Sequence, residues 1–358
     1  MRQPHDSPRR ITSAFARKLP AALVLVSLIA LSAVATAQGI DRIRRHRGTE
    51  SGKISQITAL TVMLSKGGVE SKVRVEEIRG IDFAAEPEDL RPARLAATAG
   101  RYHDALERLG AIAREGIERE AILQEIDYWQ LFCHVQLALA GLGDLSEAAR
   151  EASSFLSNNR NSYHIPAVIE LSGNALVAMD QFDNARTQYA KLGKAKSPYF
   201  TARSAILTGI SWQQEGNHEA AVTEFDRALE AAEQDQTAQS QQLEATLHKA
   251  VSRSATGDVA EATRSVKVII GQAKAEDMKL LSRAYNSLGD CYLQSGDEKA
   301  ACDAFLHVDV LFSSQKTAHA KALYELSRLW TNLGKQARAQ DAWQRLQKGY
   351  PASRWAKQ

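Results

Sequence analysis

Three cysteines and nine histidines are the residues of this 358-residue chain best suited to covalent or metal chemistry, and their spacing limits what they can do. No histidine belongs to an HExxH or stands four residues from another, and no cysteines form C-x2-C. A metal site is therefore not expected. Cys133 beside His134 is the one sequential pairing of a nucleophile with a base. Adjacent helical residues point about 100° apart, so this pair fails on geometry. There is no G-x-S-x-G, no P-loop and no G-x-G-x-x-G. The chain reads as a non-enzyme without a cofactor. The rival from a different class is an enzyme with a site where the two folded parts described below meet.

The elements that must position any site are mostly helical. With 44% hydrophobic, 24% charged and only 6% aromatic residues, the chain can bury a large core and suits alanine-rich helices better than a sandwich. The formal net charge of +3 invites a nucleic-acid or acidic-membrane reading. Its source is the leader: residues 1–37 carry Arg2, Arg9, Arg10, Arg17 and Lys18 against Asp6, a net of +4. The remaining 40 basic and 41 acidic residues leave a net of -1.

Behind the basic leader, the apolar run Ala21–Val34 ends in Ala35-Thr36-Ala37, the pattern of a secretory signal cleaved before Gln38. The run is shorter than the ~20 apolar residues that span a bilayer, which makes an uncleaved anchor the lesser reading. Arg9-Arg10 lacks the downstream pattern of a twin-arginine signal, and no cysteine near the cut offers lipidation. The expected compartment is the periplasm or the exterior. In oxidising surroundings Cys133, Cys291 and Cys302 are either small buried helix residues or, for Cys291 and Cys302, partners in a bridge.

From residue 38 to 84 the periodicity is 2 rather than 3.6. Short runs at Arg42–His46, Lys53–Ile57, Leu60–Ser65, Lys72–Val75 and Ile81–Phe83 predict five strands, with Gly67-Gly68 supplying a tight hairpin. Their spacing resembles an SH3-like or Sm-like small barrel. Arg42, Arg44, Arg45 and Arg47 give the first strand a basic strip: either a phosphate contact, which makes a nucleic-acid-binding barrel the second rival function, or a solvated edge strand that resists aggregation. Residues 85–90 read as a linker.

Beyond it a pattern recurs. In Tyr285–Phe305, Tyr285, Leu288, Gly289 and Tyr292 share one helical face, Gly296 supplies a turn, and Ala301 and Phe305 share a face of a second helix. Turn residues recur at Gly100, Gly143, Asp180, Gly216, Gly257, Gly296 and Gly334, at intervals of 43, 37, 36, 41, 39 and 38. Five residues after each stands an alanine: Ala105, Ala148, Ala185, Ala221, Ala262, Ala301 and Ala339. Four further on stand Leu109, Ala152, Tyr189, Phe225, Val266, Phe305 and Trp343. The small residues mark where two helices approach closely.

This pattern resembles the tetratricopeptide repeat, W-x2-L-G-x2-Y followed by A-x3-F, repeated seven times over residues 91–350 before a tail at 351–358. The third, fourth and sixth repeats match best; the first lacks an aromatic first helix, and the fifth has Lys249 and Arg253 where apolar anchors are expected. The tail, Tyr350-Pro351-Ala352-Ser353-Arg354-Trp355-Ala356, looks like the repeat ends of envelope tetratricopeptide proteins such as the Tol-Pal coordinator and the outer-membrane assembly lipoprotein. The expected fold class is mainly α, a repeat solenoid preceded by a small five-stranded barrel.

The resemblance implies a concave groove lined by first helices. The family's groove positions map onto Ala167, Glu170, Asn174 and Val177, then Arg203, Ile206, Ile210, Gln213 and Gln214, then Arg283, Asn286, Asp290, Leu293 and Gln294, and last Lys321, Tyr324, Arg328, Thr331 and Asn332. Amide, guanidinium and aromatic groups there would hold an extended peptide. Glu170 before Asn174 opposes a C-terminal carboxylate clamp, whereas Arg203, Lys321 and Arg328 leave other acidic ligands open. The implied function is an exported scaffold for a protein or peptide partner in envelope assembly or maintenance, without nucleic acid, without an integral membrane span after cleavage, and with self-association open.

Overall fold

A computed structural model describes residues 39–351 and 353–357. The predicted signal segment lies outside the described residues.

Five strands open the chain: β1 (Asp41–Arg45), β2 (Thr49–Ile57), β3 (Thr61–Lys66), β4 (Val69–Arg74) and β5 (Ile78–Asp82). They form one antiparallel sheet of order β4-β3-β2-β1-β5. The Gly67-Gly68 hairpin forms as expected, with both glycines at positive φ (59° and 83°), which a two-residue turn of this hand demands. Ser51-Gly52, expected to separate strands, lies inside β2 opposite Asp41.

Two sequence expectations are corrected here. The sheet is not closed into a barrel: β4 and β5 are joined by a 3-10 turn, Val75–Glu77, and no ladder pairs them. Nor is the arginine-rich β1 an edge strand, because β2 and β5 flank it. Two of its three arginines are answered locally, Arg44 by Asp82 at 3.3 Å and Arg45 by Glu50 and Glu77, while Arg42 is exposed.

One face of the sheet is apolar by alternation. Ile43, Val62, Leu64, Val73 and Ile81, with Phe83, form a core with Leu90, Ala93, Leu109, Ile122 and Ile126 of the first helices. Burying each large aliphatic group there stabilises the junction by about 1.5–3 kcal/mol. The expected linker is short and fastened, because Glu86 accepts a hydrogen bond from the Phe83 amide (3.0 Å) and pairs with Arg94 (2.6 Å).

Fourteen α-helices follow among the described residues, in seven pairs: α1 (Leu90–Thr98) with α2 (Tyr102–Ala111), α3 (Glu120–Leu139) with α4 (Leu145–Asn158), α5 (Ile165–Ala178) with α6 (Phe182–Gly193), and α7 (Pro198–Glu215) with α8 (His218–Glu233). The remaining pairs are α9 (Gln239–Ala255) with α10 (Val259–Gln272), α11 (Met278–Gln294) with α12 (Glu298–Leu311), and α13 (Lys316–Asn332) with α14 (Gln336–Gly349). Six of the seven expected turn residues have positive φ, Asp180 among them; in the second pair Gly141 takes that role, two residues before Gly143. At several turns the next element is capped at once: Asp144, Asn217 and Asp297 accept hydrogen bonds from amides of the first helical turn.

All seven pattern alanines are buried, from 0% to 6% exposed. Their reason is visible at the glycines opposite. A Cβ added to Gly209 would lie 2.6 Å from the Phe225 ring, and one on Gly289 2.5 Å from the Phe305 ring, so each second-helix aromatic fills the space left by a first-helix glycine. Trp343 departs from the pattern and is 37% exposed, whereas Ala339, Ala342 and Leu346 of α14 are buried.

The sheet reaches further along the array than the first pair. Leu60 and Val75 pack against the cluster that includes Ile169, Leu192 and Phe200, Ser197 donates to Glu76 (3.2 Å), and Arg74 pairs with Asp235 (3.1 Å) in the connection between α8 and α9. The polar run Glu233–Gln242 is thus neither a free loop nor a plain helical extension: Asp235 also caps the 3-10 turn Gln236–Ala238 before α9 begins. Cys133, Cys291 and Cys302 are free and buried.

Candidate partner-binding cleft

First helices of consecutive pairs lie side by side, and where α7, α9, α11 and α13 adjoin they enclose a cleft of about 560 Å³. Gln213 and Ile210 come from α7, Glu244 and His248 from α9, Arg283, Asn286 and Asp290 from α11, and Lys321 from α13. The connection before α13 adds Ser314 and Gln315. The end wall is Arg354 and Trp355 of a terminal 3-10 turn.

Seven expected groove residues meet there: Ile210, Gln213, Gln214, Arg283, Asn286, Asp290 and Lys321. The others do not, and for five of them the contacts show why. Ile206 is fully buried, and Asn174 accepts a hydrogen bond from the Tyr189 hydroxyl (2.8 Å) inside its own pair. Arg203 is held by Glu170 at 2.8–3.0 Å and by Glu244 at 3.3 Å. Desolvation opposes the Arg203 charge, but these two carboxylates more than reverse it and raise its pKa above the ordinary guanidinium value. Tyr324 packs against Trp355 with ring centroids 5.2 Å apart. Arg328 pairs with Glu325 (3.3 Å) and lines a separate shallow depression with Trp343.

The cleft floor is hydrogen-bonded. Gln213 donates to the His248 carbonyl (3.1 Å) and to Ser252 (2.9 Å), while its oxygen meets His248 Nδ1 at 2.9 Å. Burial pushes His248 down to about 4, so it is neutral near pH 7. Asn286 is 6% exposed; its Nδ2 donates to the Ala318 carbonyl (3.0 Å), whereas its Oδ1 has no partner among the described residues. Of the two carboxylates, Asp290 is paired with Lys321, and Glu244 with Arg203 and, at 3.9 Å, Arg283.

Sequence reasoning missed Glu244, His248, Lys279 and Lys316. Glu244 and His248 lie on α9, the helix of the fifth repeat, where the pattern is weakest. It also missed Arg354 and Trp355, whose only signal was the ending Y-P-x-S-x-W-A. A second polar cluster escaped it entirely. Glu125 on α3 accepts from Trp129 (2.8 Å), Tyr163 (2.7 Å) and Arg94 (3.3 Å) and meets His164 at 2.8 Å, with every partner buried except the half-buried Trp129. Desolvation alone would raise the Glu125 pKa; His164 and Arg94 overcome it and hold the carboxyl at about 2.

Catalytic candidates stand apart from the cleft. Burial pushes the Cys133 and Cys291 thiols up to about 12, far from thiolate at neutral pH, and His134 meets Glu151 at 2.8 Å. Among the described residues there is no cluster of three or more His, Cys, Asp or Glu fit to hold a metal, and no helix long and apolar enough to cross a membrane.

Two tetratricopeptide repeat family models match, one over residues 282–309 and one over 321–353, the sixth and seventh pairs. No curated protein matches the chain. Among solved structures, a tetratricopeptide repeat protein from Parabacteroides merdae is 18% identical with a TM-score of 0.51, over 75% of this chain and 96% of that one. A Rap protein complexed with competence and sporulation factor is 15% identical with a TM-score of 0.53, over 75% of this chain and 76% of that one. These matches identify tetratricopeptide repeats at residues 282–309 and 321–353, and the likeness to the two solved structures shows that the array of helix pairs shares their fold.

Proposed function

We propose that this protein is an exported, non-enzymatic scaffold that holds a protein or peptide partner in the cleft of its fourth to seventh repeats and serves assembly or maintenance of the cell envelope. The observation that carries the binding reading is the cleft itself: about 560 Å³, contributed by four successive first helices and lined by amide, guanidinium and ammonium groups around an apolar wall. Stacked helical repeats use such surfaces to hold extended chains. The Rap protein of similar fold was solved with competence and sporulation factor bound, which supports the same use of the fold here. Export rests on the basic leader, short apolar run and Ala-x-Ala ending of residues 1–37.

Against the nucleic-acid alternative, two of the four arginines of the basic strip are already engaged, Arg44 by Asp82 and Arg45 by Glu50 and Glu77. The test is photo-crosslinking in intact cells with the full chain. A photoreactive residue at Ser287 in the cleft is expected to give a discrete protein adduct, and one at Arg264 on the outer helix α10 none. Equal labelling at the two positions, or none at Ser287, overturns the cleft as the binding site. Amino-terminal sequencing of envelope-fraction protein should begin at Gln38; an intact Met1 in the cytoplasmic fraction overturns export.

A further inference from the structure

Charge in the cleft is unevenly committed. Lys279, Arg283, Lys316, Lys321 and Arg354 line it against only Glu244 and Asp290. Both carboxylates are already taken, Asp290 by Lys321 and Glu244 by Arg203 and Arg283. Lys279, Lys316 and Arg354 are exposed and have no carboxylate within ion-pair distance among the described residues. They come from three separate places: the start of α11, the start of α13 and the terminal 3-10 turn. The groove positions named by the repeat pattern, Arg203 and Lys321, are the neutralised ones.

Two further features narrow the ligand. The buried Asn286 Oδ1, lacking a partner, is an acceptor that calls for a hydrogen-bond donor. A peptide backbone offers an N–H at every non-proline residue. Trp355 presents an aromatic surface beside Arg354, whose guanidinium lies 4.4 Å from the ring centroid. The tail is seated by Gln347, which donates to the Ala356 carbonyl (2.7 Å), and by the contact of Trp355 with Tyr324.

We infer that the cleft selects an acidic peptide segment, with Lys279, Lys316 and Arg354 as the cations that receive its carboxylates and the protein's own carboxy-terminal turn as one wall of the site. This inference rests on the scaffold reading and narrows it to a ligand class. Charges on the rim add little singly, but three of them facing a run of carboxylates set selectivity and salt dependence together.

The experiment titrates the full processed chain with two fluorescein-labelled peptides of equal length, one alternating glutamate with apolar residues and one with glutamine in place of each glutamate. The glutamate peptide is expected to bind at least tenfold tighter. Its advantage should shrink as salt rises from 50 to 500 mM, and the K279Q/K316Q/R354Q variant should lose at least tenfold in affinity for it. All three side chains are exposed, and an unchanged melting curve will show that the variant is folded. A second variant ending at Tyr350 should weaken the glutamate peptide even though Lys279 and Lys316 remain. Equal affinity for the two peptides, with the Ser287 adduct still formed, overturns the acidic ligand and leaves the scaffold reading standing. Absence of both peptide binding and the Ser287 adduct overturns both. Single-stranded RNA binding tighter than the glutamate peptide, and lost in the triple variant, overturns a peptide as the occupant.

Discussion

Arg203 Nε lies 3.0 Å from both carboxylate oxygens of Glu170, and its Nη2 lies 2.8 Å from one of them, so the guanidinium of the fourth pair is clamped by the pair before it. With Glu244 on the far side, Arg203 ties α5, α7 and α9 together. Replacing Arg203 with Met is expected to cost about 2 kcal/mol of unfolding free energy, because two half-buried carboxylates lose their counter-charge. Affinity for a cleft ligand should change less than threefold. Chemical denaturation alongside peptide titration separates these outcomes; a binding loss with unchanged stability would assign Arg203 to the ligand instead.

Gly289 and Phe305 make a second local test. The helical propensity gained in Gly289→Ala, about 1 kcal/mol, is opposed by a Cβ placed 2.5 Å from the ring. Overpacking should win, with a net loss of about 1–2 kcal/mol. Adding Phe305→Leu to Gly289→Ala should recover part of it, so a double-mutant cycle will show favourable coupling; strict additivity would refute the contact.

Acid should act first on His248. Its pKa is lowered from about 6.5 in the unfolded chain to about 4 in the fold, so the unfolded state binds the extra proton. The stability it contributes is complete above pH 6.5 and is lost as pH falls toward 4. His248→Gln should flatten the melting temperature across that window, read by thermal scans at half-unit steps; an unchanged slope refutes the burial of the neutral ring.

Glu125 governs a lower window. Its carboxyl is held at about 2 against an ordinary value near 4.5, so its contribution is present above pH 4.5 and disappears as pH falls toward 2. Glu125→Gln should destabilise by about 3 kcal/mol at neutral pH, because Arg94 is left buried with less charge around it. It should also remove part of the acid sensitivity below pH 4.5, a window shared with Glu77, Asp235, Glu244 and Asp309, whose carboxyls are likewise held low. Urea titration at pH 7 and pH 3.5 checks both.

What the sequence made legible is what a single helix pair determines. Ala185, Ala221 and Ala301 announced close approach, and Gly216 and Gly296 announced turns, because each requirement is met within about twenty residues. Where two glycines shared a turn the pattern chose Gly143 and the positive φ falls at Gly141, since the backbone angle depends on how α3 ends. The place of β1 in the sheet was hidden because strand order is a long-range property: β5 reaches it from nearly 40 residues away. The same limit split the groove. A repeat pattern assigns Arg203 to the concave side from its own helix; Glu170 and Glu244, 33 and 41 residues distant, decide that its charge is spent on the fold. Arg354 and Trp355 joined the cleft only because the tail turns back onto α13.

The anchoring of β4 and the turn after it to Ser197 and Asp235 has a mechanical meaning. Arrays of this kind behave as springs, each unit free to tilt on the next. Here the sheet bridges the first unit and the fourth, so tilting between them has to break the contacts of Glu76 with Ser197 and of Arg74 with Asp235. Tilting among the three units beyond, which form most of the cleft, breaks neither.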